Sequence, residues 1–178
     1  QSSEPSCLIP TVKSDKLVMA GDHKQLPPTI LNEKAKHEGL AETLFERLVA
    51  MYGDDVKTLL KVQYRMHKNI MRFSDDEFYE GQIVADGSVK NHLLRDKKKK
   101  KIESKFDEIL DPEEPIVLID TQGKMLERSR KGSTSKENKG EALISKELVD
   151  GFLDMGIEEK DIGVISPYDD QKELIKDY

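Results

Sequence analysis

The sequence predicts an α/β protein with a parallel sheet, because short apolar runs alternate along it with longer segments of helical periodicity. The apolar runs are rich in Val, Leu and Ile and occupy residues 16–20, 58–62, 115–120 and 162–165. The segments with helical periodicity occupy residues 39–51, 67–80, 141–155 and the stretch from residue 169 onwards. Alternation of strands with helices of this length is typical of right-handed β-α-β units, in which the strands are parallel.

Glycine and proline mark the ends of the first elements. Residues 16–20 lead into the turn Gly21-Asp22, and Pro28 prevents any continuation of the strand because proline has no amide proton to donate. Within residues 39–51, apolar side chains recur every three or four positions, and Gly53 follows as a C-terminal cap. The sequence therefore predicts a strand, a loop and an amphipathic helix in that order.

The second half of the chain repeats the alternation. Residues 115–120 are a buried-strand pattern that ends in an acid, residues 141–155 have apolar side chains at helical spacing, and Gly156 can close that helix. Residues 162–165 form another short apolar run, and Asp169 begins a final helix.

Two charged segments interrupt this pattern. Residues 97–114 begin with five consecutive lysines, and residues 124–136 are rich in Ser, Lys and Arg. Like charges in a run repel one another, so both segments are predicted to be solvated, variable loops. A nucleic-acid or localisation patch is the alternative for the lysine run.

Composition limits the classes of protein. The net charge is −6, which excludes a uniformly basic nucleic-acid-binding surface but leaves room for a local basic groove. Cys7 is the single cysteine, so an internal disulfide and a cysteine-based zinc site are excluded. The apolar runs fall far short of the roughly 20 residues that cross a bilayer. We therefore expect a protein of the cytoplasm or nucleus without a membrane partner.

Polar clusters follow three of the predicted strands, at the edge where an open parallel sheet binds its ligands. They are Gly21-Asp22-His23-Lys24-Gln25, Gln63-Tyr64-Arg65 and Ser166-Pro167-Tyr168. Tyr64 offers a ring that could stack on a base, Arg65 a charge for phosphate, and Gln25 an amide that could orient a water or a phosphate oxygen. Asp22 and His23 are otherwise turn residues that cap the loop. A metal site at Asp22 and His23 is a further alternative, but the other histidines have no zinc-ligand spacing.

These three clusters, in this order, resemble the motif series of superfamily 1 helicases of the Upf and Smubp type. The intervening sequence is similar too, at Leu44-Phe45-Glu46-Arg47-Leu48, Phe78-Tyr79-Glu80-Gly81-Gln82 and Ile119-Asp120-Thr121. Leu26-Pro27-Pro28 and His92-Leu93-Leu94-Arg95-Asp96 are more similar to the immunoglobulin-mu-binding-protein branch than to the nonsense-mediated-decay branch.

The resemblance implies a partial RecA-like, P-loop NTPase helicase core. Residues 1–62 would be the C-terminal part of RecA-like domain 1, and residues 63–178 the N-terminal part of RecA-like domain 2. Gln1 resembles the last residue of the Asp-Glu-x-x-Gln Walker B motif, and the sequence contains no G-x-x-x-x-G-K-[ST] Walker A motif. We therefore expect an internal, inactive piece of a helicase whose principal ATP and Mg²⁺ ligands lie outside it.

The resemblance also implies roles for individual residues. Gln25 would contact the γ-phosphate, Tyr64 would stack on the nucleotide base, Arg65 would act as an arginine finger, and Glu141 would lie near the nucleotide. The residues implied on the nucleic-acid face are Pro27, Pro28, Thr29, Ser166, Pro167 and Tyr168.

The function implied for the parent is that of an ATP-dependent helicase that translocates on single-stranded RNA or DNA, with protein regulators as further partners. Two alternative functions fit the same sequence. One is a non-catalytic, helicase-like scaffold that binds nucleic acid or protein. The other is a nucleotide-binding α/β domain of another family, which would make the three motif matches coincidental.

Overall fold

The chain divides into two compact units, Gln1–Lys61 and Val62–Tyr178, in a computed structural model. The structure describes residues 2–98, 106 and 108–178. Most of the five-lysine run, and part of the loop predicted over residues 97–114, therefore lie outside the described residues.

The first unit is built from helical segments and extended connections. Its elements are α1 (Glu4–Thr11), α2 (Glu33–Ala35), a π-helical turn (Lys36–Leu40), α3 (Leu44–Tyr52) and a 3-10 turn (Gly53–Val56). The helix predicted over residues 39–51 begins later than expected, at Leu44. Gly39 has a φ of 102°, which an α-helix does not allow, so the chain is redirected there before α3 starts.

The second unit contains a pair of strands and three longer helices. Its elements are β1 (Val62–Gln63), α4 (Lys68–Phe78), β2 (Val84–Ala85), a 3-10 turn (Leu94–Asp96), α5 (Lys139–Asp154), a 3-10 turn (Glu159–Asp161) and α6 (Asp169–Lys176). The helices predicted from residues 67, 141 and 169 are confirmed, with ends that differ by at most two residues. No helix in the described part of the chain is long and apolar enough to cross a bilayer.

The strands β1 and β2 are parallel, with Val62 opposite Val84 and Gln63 opposite Ala85. Because α4 connects them, the three elements form a β-α-β unit. The prediction of an α/β fold with a parallel sheet is confirmed by this unit.

Several predicted strands are not strands in the structure. Residues 16–20, 115–120 and 162–165 lie outside any strand, and of residues 58–62 the last one alone belongs to β1. A strand exists through hydrogen bonds to a neighbour, and among the described residues the ladder contains β1 and β2 alone. Apolar side chains of the unpaired runs are consequently open to solvent. Leu118 is 91% exposed and Ile165 is 96% exposed.

The apolar core of the second unit lies against α5. Leu110, which is 1% exposed, packs with Met155 and Ile157. Gly151 permits this packing, since a Cβ atom at that position would lie 2.6 Å from Leu110 Cδ1. The residues packed around the three are partly buried and apolar: Leu94, Phe106, Leu148, Phe152 and Ile162.

We predict that Leu110→Ala destabilises the chain by about 2–5 kcal/mol, because the truncation leaves a cavity beneath α5. Urea denaturation followed by circular dichroism measures the loss. Leu126→Ala is the matched control: Leu126 is 85% exposed, and its truncation should change the free energy of unfolding by less than about 0.5 kcal/mol. Equal effects of the two substitutions would contradict the placement of the core.

Candidate functional site

Asp22 organises the turn that carries Gln25. Its Oδ1 accepts a hydrogen bond from the backbone N–H of Lys24 at 2.9 Å, and its Oδ2 accepts one from Nε2 of Gln25 at 2.8 Å. The first bond is a local turn bond of the kind that aspartate commonly makes. The second fixes the direction of an exposed amide. Asp22 is therefore a turn residue that also orients the side chain of Gln25.

The same loop rests on the first turn of α3. The rings of His23 and Phe45 are stacked, with centroids 5.8 Å apart and planes inclined by 18°. A Cβ atom at Gly21 would lie 3.6 Å from Phe45 Cδ2, so the loop backbone also passes close to this ring. His23 is thus held by packing. Among the described residues, no group of three His, Cys, Asp or Glu side chains could hold a metal ion.

A capping box fixes the start of α3 beneath this loop. Thr43 Oγ1 accepts from the backbone N–H of Glu46 at 3.1 Å, and Glu46 Oε2 accepts from the backbone N–H of Thr43 at 2.8 Å. The hydrogen bonds from Thr43 hold the pKa of Glu46 below its ordinary value, with a smaller contribution from the nearby His23. An ion pair of Arg47 with Glu4 joins α3 to α1.

A cleft of about 190 Å³ lies beside the loop, between residues of α1 and α3 in the first unit. Gln25 and Pro27 line it, together with Cys7 and Thr43. The other two residues predicted on this segment, Pro28 and Thr29, are not part of its described wall. The structure therefore brings Gln25 and Pro27 to one surface and leaves their two neighbours beyond it.

Gln63 shapes the turn that carries Tyr64 and Arg65. Its Oε1 accepts from the backbone N–H groups of Arg65 at 2.8 Å and Met66 at 2.9 Å, and its Nε2 donates to the carbonyl oxygen of Met66 at 2.7 Å. Its own carbonyl oxygen accepts from the backbone N–H of Asp86 at 2.9 Å, beside β2. The turn is therefore fixed to the end of β1. Tyr64 is 67% exposed on it.

His67 closes this turn by starting α4. Its Nδ1 accepts from the backbone N–H of Asn69 at 3.1 Å, and the side chain is buried. Such a bond satisfies one of the free N–H groups of the first helical turn. His67 consequently serves as a cap, and Tyr64 and Arg65 are the exposed side chains of the motif.

Glu141 lies in the first turn of α5, where Asn138 caps the helix. Asn138 Oδ1 accepts from the backbone N–H groups of Gly140 at 3.0 Å and Glu141 at 3.2 Å. Its Nδ2 donates to the carbonyl oxygen of Met125 at 3.3 Å. The cap fixes the backbone of Glu141, while its side chain remains exposed.

Ser166 and Tyr168 form a short polar turn immediately before α6. The backbone N–H of Tyr168 donates to Ser166 Oγ at 3.3 Å, and the Tyr168 ring is partly exposed. Pro167 is exposed between them. All three predicted residues of this segment are therefore accessible.

Sequence reasoning missed the residues that connect α5 with α6. The backbone N–H of Asn138 donates to Oε1 of Gln171 at 2.7 Å, and Nε2 of Gln171 donates to the Asn138 carbonyl oxygen at 3.2 Å. Both residues are buried. The preference of helix N-termini for asparagine could have indicated Asn138, whereas no local pattern marks Gln171, since its partner lies 33 residues away.

A buried carboxylate organises the segment before α5. Glu137, which is 2% exposed, accepts from Nε of Arg128 at 2.6 Å and from Nε of Arg130 at 2.5 Å. Backbone bonds in both directions between Arg128 and Glu137, each 2.9 Å long, form an isolated antiparallel bridge. The bond from Arg130, followed by the interaction with Arg128, holds the pKa of Glu137 below its ordinary value.

The β-α-β unit and the three motif segments define a helicase domain of the P-loop NTPase class. A family model described as an AAA domain matches residues 40–178, and a second model of the same description matches residues 1–33. The chain belongs to this AAA domain family, within the superfamily 1 helicases, as its motifs predicted. Its fold is a partial RecA-like core.

Several curated proteins are similar to nearly the whole chain. The rat DNA-binding protein SMUBP-2 is 41% identical over 180 residues, which are 99% of this chain and 17% of that protein. An uncharacterized ATP-dependent helicase of Methanocaldococcus jannaschii is 43% identical over 176 residues, 99% of this chain and 25% of that protein. A regulator of nonsense transcripts 1 homolog of Neurospora crassa is 38% identical over 176 residues, 98% of this chain and 15% of that protein.

The chain thus spans a quarter or less of the length of these three relatives. Its identity is higher to SMUBP-2 than to the regulator of nonsense transcripts 1 homolog.

We predict that Glu137→Gln removes an acid-sensitive part of the stability. A carboxylate whose pKa is lower in the folded than in the unfolded state stabilises the fold above the ordinary value of 4.5, and this stabilisation is lost as the pH falls through the lower, folded-state value. Urea denaturation at a series of pH values measures it. The variant should be less stable at neutral pH and should show a shallower decline in acid.

Glu159→Gln, which changes an exposed carboxylate, is the control and should follow the unsubstituted chain. A Glu137→Gln profile parallel to that of the control would contradict the role of the Arg128–Glu137–Arg130 cluster.

Proposed function

We propose that the complete protein is an ATP-dependent helicase that couples ATP hydrolysis to movement along single-stranded RNA or DNA. The observation that carries the proposal is the pair of exposed side chains, Tyr64 and Arg65, held at the carboxyl end of a parallel strand by Gln63. The names of two relatives support the same function: one is called an ATP-dependent helicase and the other a DNA-binding protein.

Arg65 is assigned the role of an arginine finger. Its backbone is fixed by Gln63, and its guanidinium forms no ion pair with any described residue. An arginine whose backbone is fixed and whose guanidinium pairs with no described residue is available to stabilise the charge that develops on a leaving γ-phosphoryl group. The fixed turn reduces the conformational entropy that Arg65 would lose on binding phosphate.

Gln25 is assigned to the γ-phosphate. Its Nε2 donates to Asp22, which leaves the amide with a defined direction and a second N–H group for a phosphate oxygen or an attacking water. The bond to Asp22 also links the amide to the loop backbone through Lys24. Release of the γ-phosphate would therefore alter the hydrogen bonds of Gln25 and, through Asp22, the position of the loop backbone.

Tyr64 and Glu141 complete the proposed nucleotide contacts. The largely exposed ring of Tyr64 offers a flat apolar face, and stacking on it would accept any base. We assign Glu141 to the nucleotide because the family resemblance implies that role, and Asn138 holds its backbone at the start of α5.

The nucleic-acid contacts are assigned to two segments, one that follows the turn of Asp22 and one immediately before α6. The residues are Pro27, Pro28, Thr29, Ser166, Pro167 and Tyr168. Binding through backbone phosphates and ring stacking would be salt-dependent and largely indifferent to base sequence. Such binding accommodates a net charge of −6 provided that the complete protein supplies a basic groove.

Mg²⁺ would accompany ATP in the complete protein, but the described residues do not form a metal site of three ligands. We therefore assign no Mg²⁺ ligand here and expect the 178-residue chain, whose sequence lacks a Walker A motif, not to hydrolyse ATP by itself. In the complete helicase, residues 1–62 and 63–178 would belong to two RecA-like domains. The proposed location is the cytoplasm or nucleus, with protein regulators as further partners.

We predict that Arg65→Ala in the complete protein lowers the strand-stimulated ATPase rate by about 10³- to 10⁵-fold, the range found for arginine fingers. Affinity for single strands should be unchanged, because Arg65 is assigned to the nucleotide. Steady-state phosphate release and fluorescence anisotropy with a labelled oligonucleotide measure the two quantities.

Arg72→Ala is the matched control, because Arg72 is an exposed arginine of α4 whose partner is Asp76 in the next helical turn. It should retain the full rate. Unchanged turnover in Arg65→Ala would exclude the arginine-finger role. A complete protein that binds strands without any ATPase activity would instead support a non-catalytic scaffold.

We predict that Tyr64→Ala raises the KM for ATP about 5- to 150-fold, since loss of base stacking is worth about 1–3 kcal/mol. Tyr64→Phe keeps the ring and should leave the KM unchanged. The KM is measured for ATP and GTP in parallel, because stacking predicts similar losses with both. A KM that is unaffected by Tyr64→Ala would remove Tyr64 from the nucleotide site.

A further inference from the structure

The N-termini of α5 and α6 are held together by a buried, reciprocal pair of hydrogen bonds. The backbone N–H of Asn138 donates to Oε1 of Gln171 at 2.7 Å, and Nε2 of Gln171 donates to the Asn138 carbonyl oxygen at 3.2 Å. One side-chain amide thus bonds both backbone polar groups of Asn138, whose carbonyl oxygen also accepts from the backbone N–H of Ala142 at 3.0 Å. Exchange of such bonds with water is unfavourable in a buried site, so the contact is geometrically strict.

Each end of this pair lies next to a segment with a proposed ligand. On the α5 side, Asn138 Oδ1 accepts from the backbone N–H of Glu141, the proposed nucleotide contact. On the α6 side, Gln171 lies in the first helical turn, three residues after Tyr168, and Lys172 N–H donates to the Tyr168 carbonyl oxygen at 3.0 Å. One hydrogen bond on each side of the amide pair therefore connects it with a ligand segment.

Neighbouring bonds restrict the motion that this connection would allow. The backbone N–H of Asp170 donates to Ser135 Oγ at 3.2 Å, which ties the start of α6 to the segment before α5. Arg130 donates to the Asp170 carbonyl oxygen at 3.5 Å and is itself held by Glu137. The start of α6 and the cap of α5 are thus braced as one piece.

We propose that Gln171 is a positioning residue that transmits occupancy of the nucleic-acid segment Ser166–Tyr168 to the nucleotide contact Glu141. A strand bound at Ser166–Tyr168 shifts the start of α6, the Gln171 amide carries that shift to Asn138, and the Asn138 cap moves the backbone of Glu141 with it. The inference rests on the proposed helicase function and goes beyond it by naming the residue that couples the two ligands.

The test is Gln171→Met in the complete protein, which keeps the length of the side chain and removes both hydrogen bonds. The ATPase rate is measured with and without single-stranded RNA or DNA, and strand affinity is measured separately. We expect the ratio of stimulated to unstimulated rate to fall about 5- to 150-fold, the usual range of coupling between two sites. The unstimulated rate and the strand affinity should be unchanged.

Lys172→Met is the matched control, because the neighbouring position receives the same side chain and loses only an exposed ion pair with Asp169. It should keep full stimulation. Gln171→Glu provides a second variant, since its carboxylate retains the acceptor for Asn138 N–H and loses the donor. It should lose part of the stimulation, and it keeps the test decisive if Gln171→Met does not fold.

Full stimulation in the folded Gln171 variants would overturn the inference. So would a proportional fall of both rates, because a purely structural role predicts that pattern. If the unsubstituted complete protein shows no stimulation by single strands, the proposed function itself fails and the inference falls with it. The unsubstituted protein therefore distinguishes the two failures.

Discussion

Two glutamine side chains, Gln63 and Gln171, fix the backbone segments that carry the candidate site residues. Gln63 folds the turn after β1 through the backbone of Arg65 and Met66, and Gln171 holds the cap of α5 through the backbone of Asn138. Each amide accepts from backbone N–H groups that lie outside the strand ladder and the helical bonds: Arg65 and Met66 for Gln63, and Asn138 for Gln171. Exposed functional side chains can then project from a fixed backbone, which lowers the entropic cost of binding a ligand.

The helices α3 to α6 could be predicted from the sequence, whereas α1 and most of the strands could not. Helical periodicity located α4, α5 and α6 because a helix forms its hydrogen bonds within its own segment. The apolar runs at residues 16–20, 115–120 and 162–165 have the composition of strands but no ladder partner among the described residues. A strand depends on its neighbour, so composition alone does not produce one.

The motif residues of the candidate site could be identified from the sequence, whereas the hydrogen bonds that hold its backbone could not. Short sequence motifs identified Gln25, Tyr64 and Arg65 as candidates, and all three side chains are exposed in the structure. The pairing of Asn138 with Gln171 joins positions 33 residues apart, and neither residue belongs to a pattern that indicates the other. Long-range polar contacts of this kind follow from packing, which sequence periodicity does not specify.

We propose that Gln25 and Arg65 act on the γ-phosphate of ATP in the complete protein. The most direct measurement is a crystal structure of the complete protein with Mg²⁺, a non-hydrolysable ATP analogue and a single-stranded oligonucleotide. We expect the Gln25 amide and the Arg65 guanidinium to lie within hydrogen-bond distance of the γ-phosphate, and the Tyr64 ring to stack on the base. A bound analogue with the Arg65 guanidinium directed into solvent and the base stacked elsewhere would contradict it.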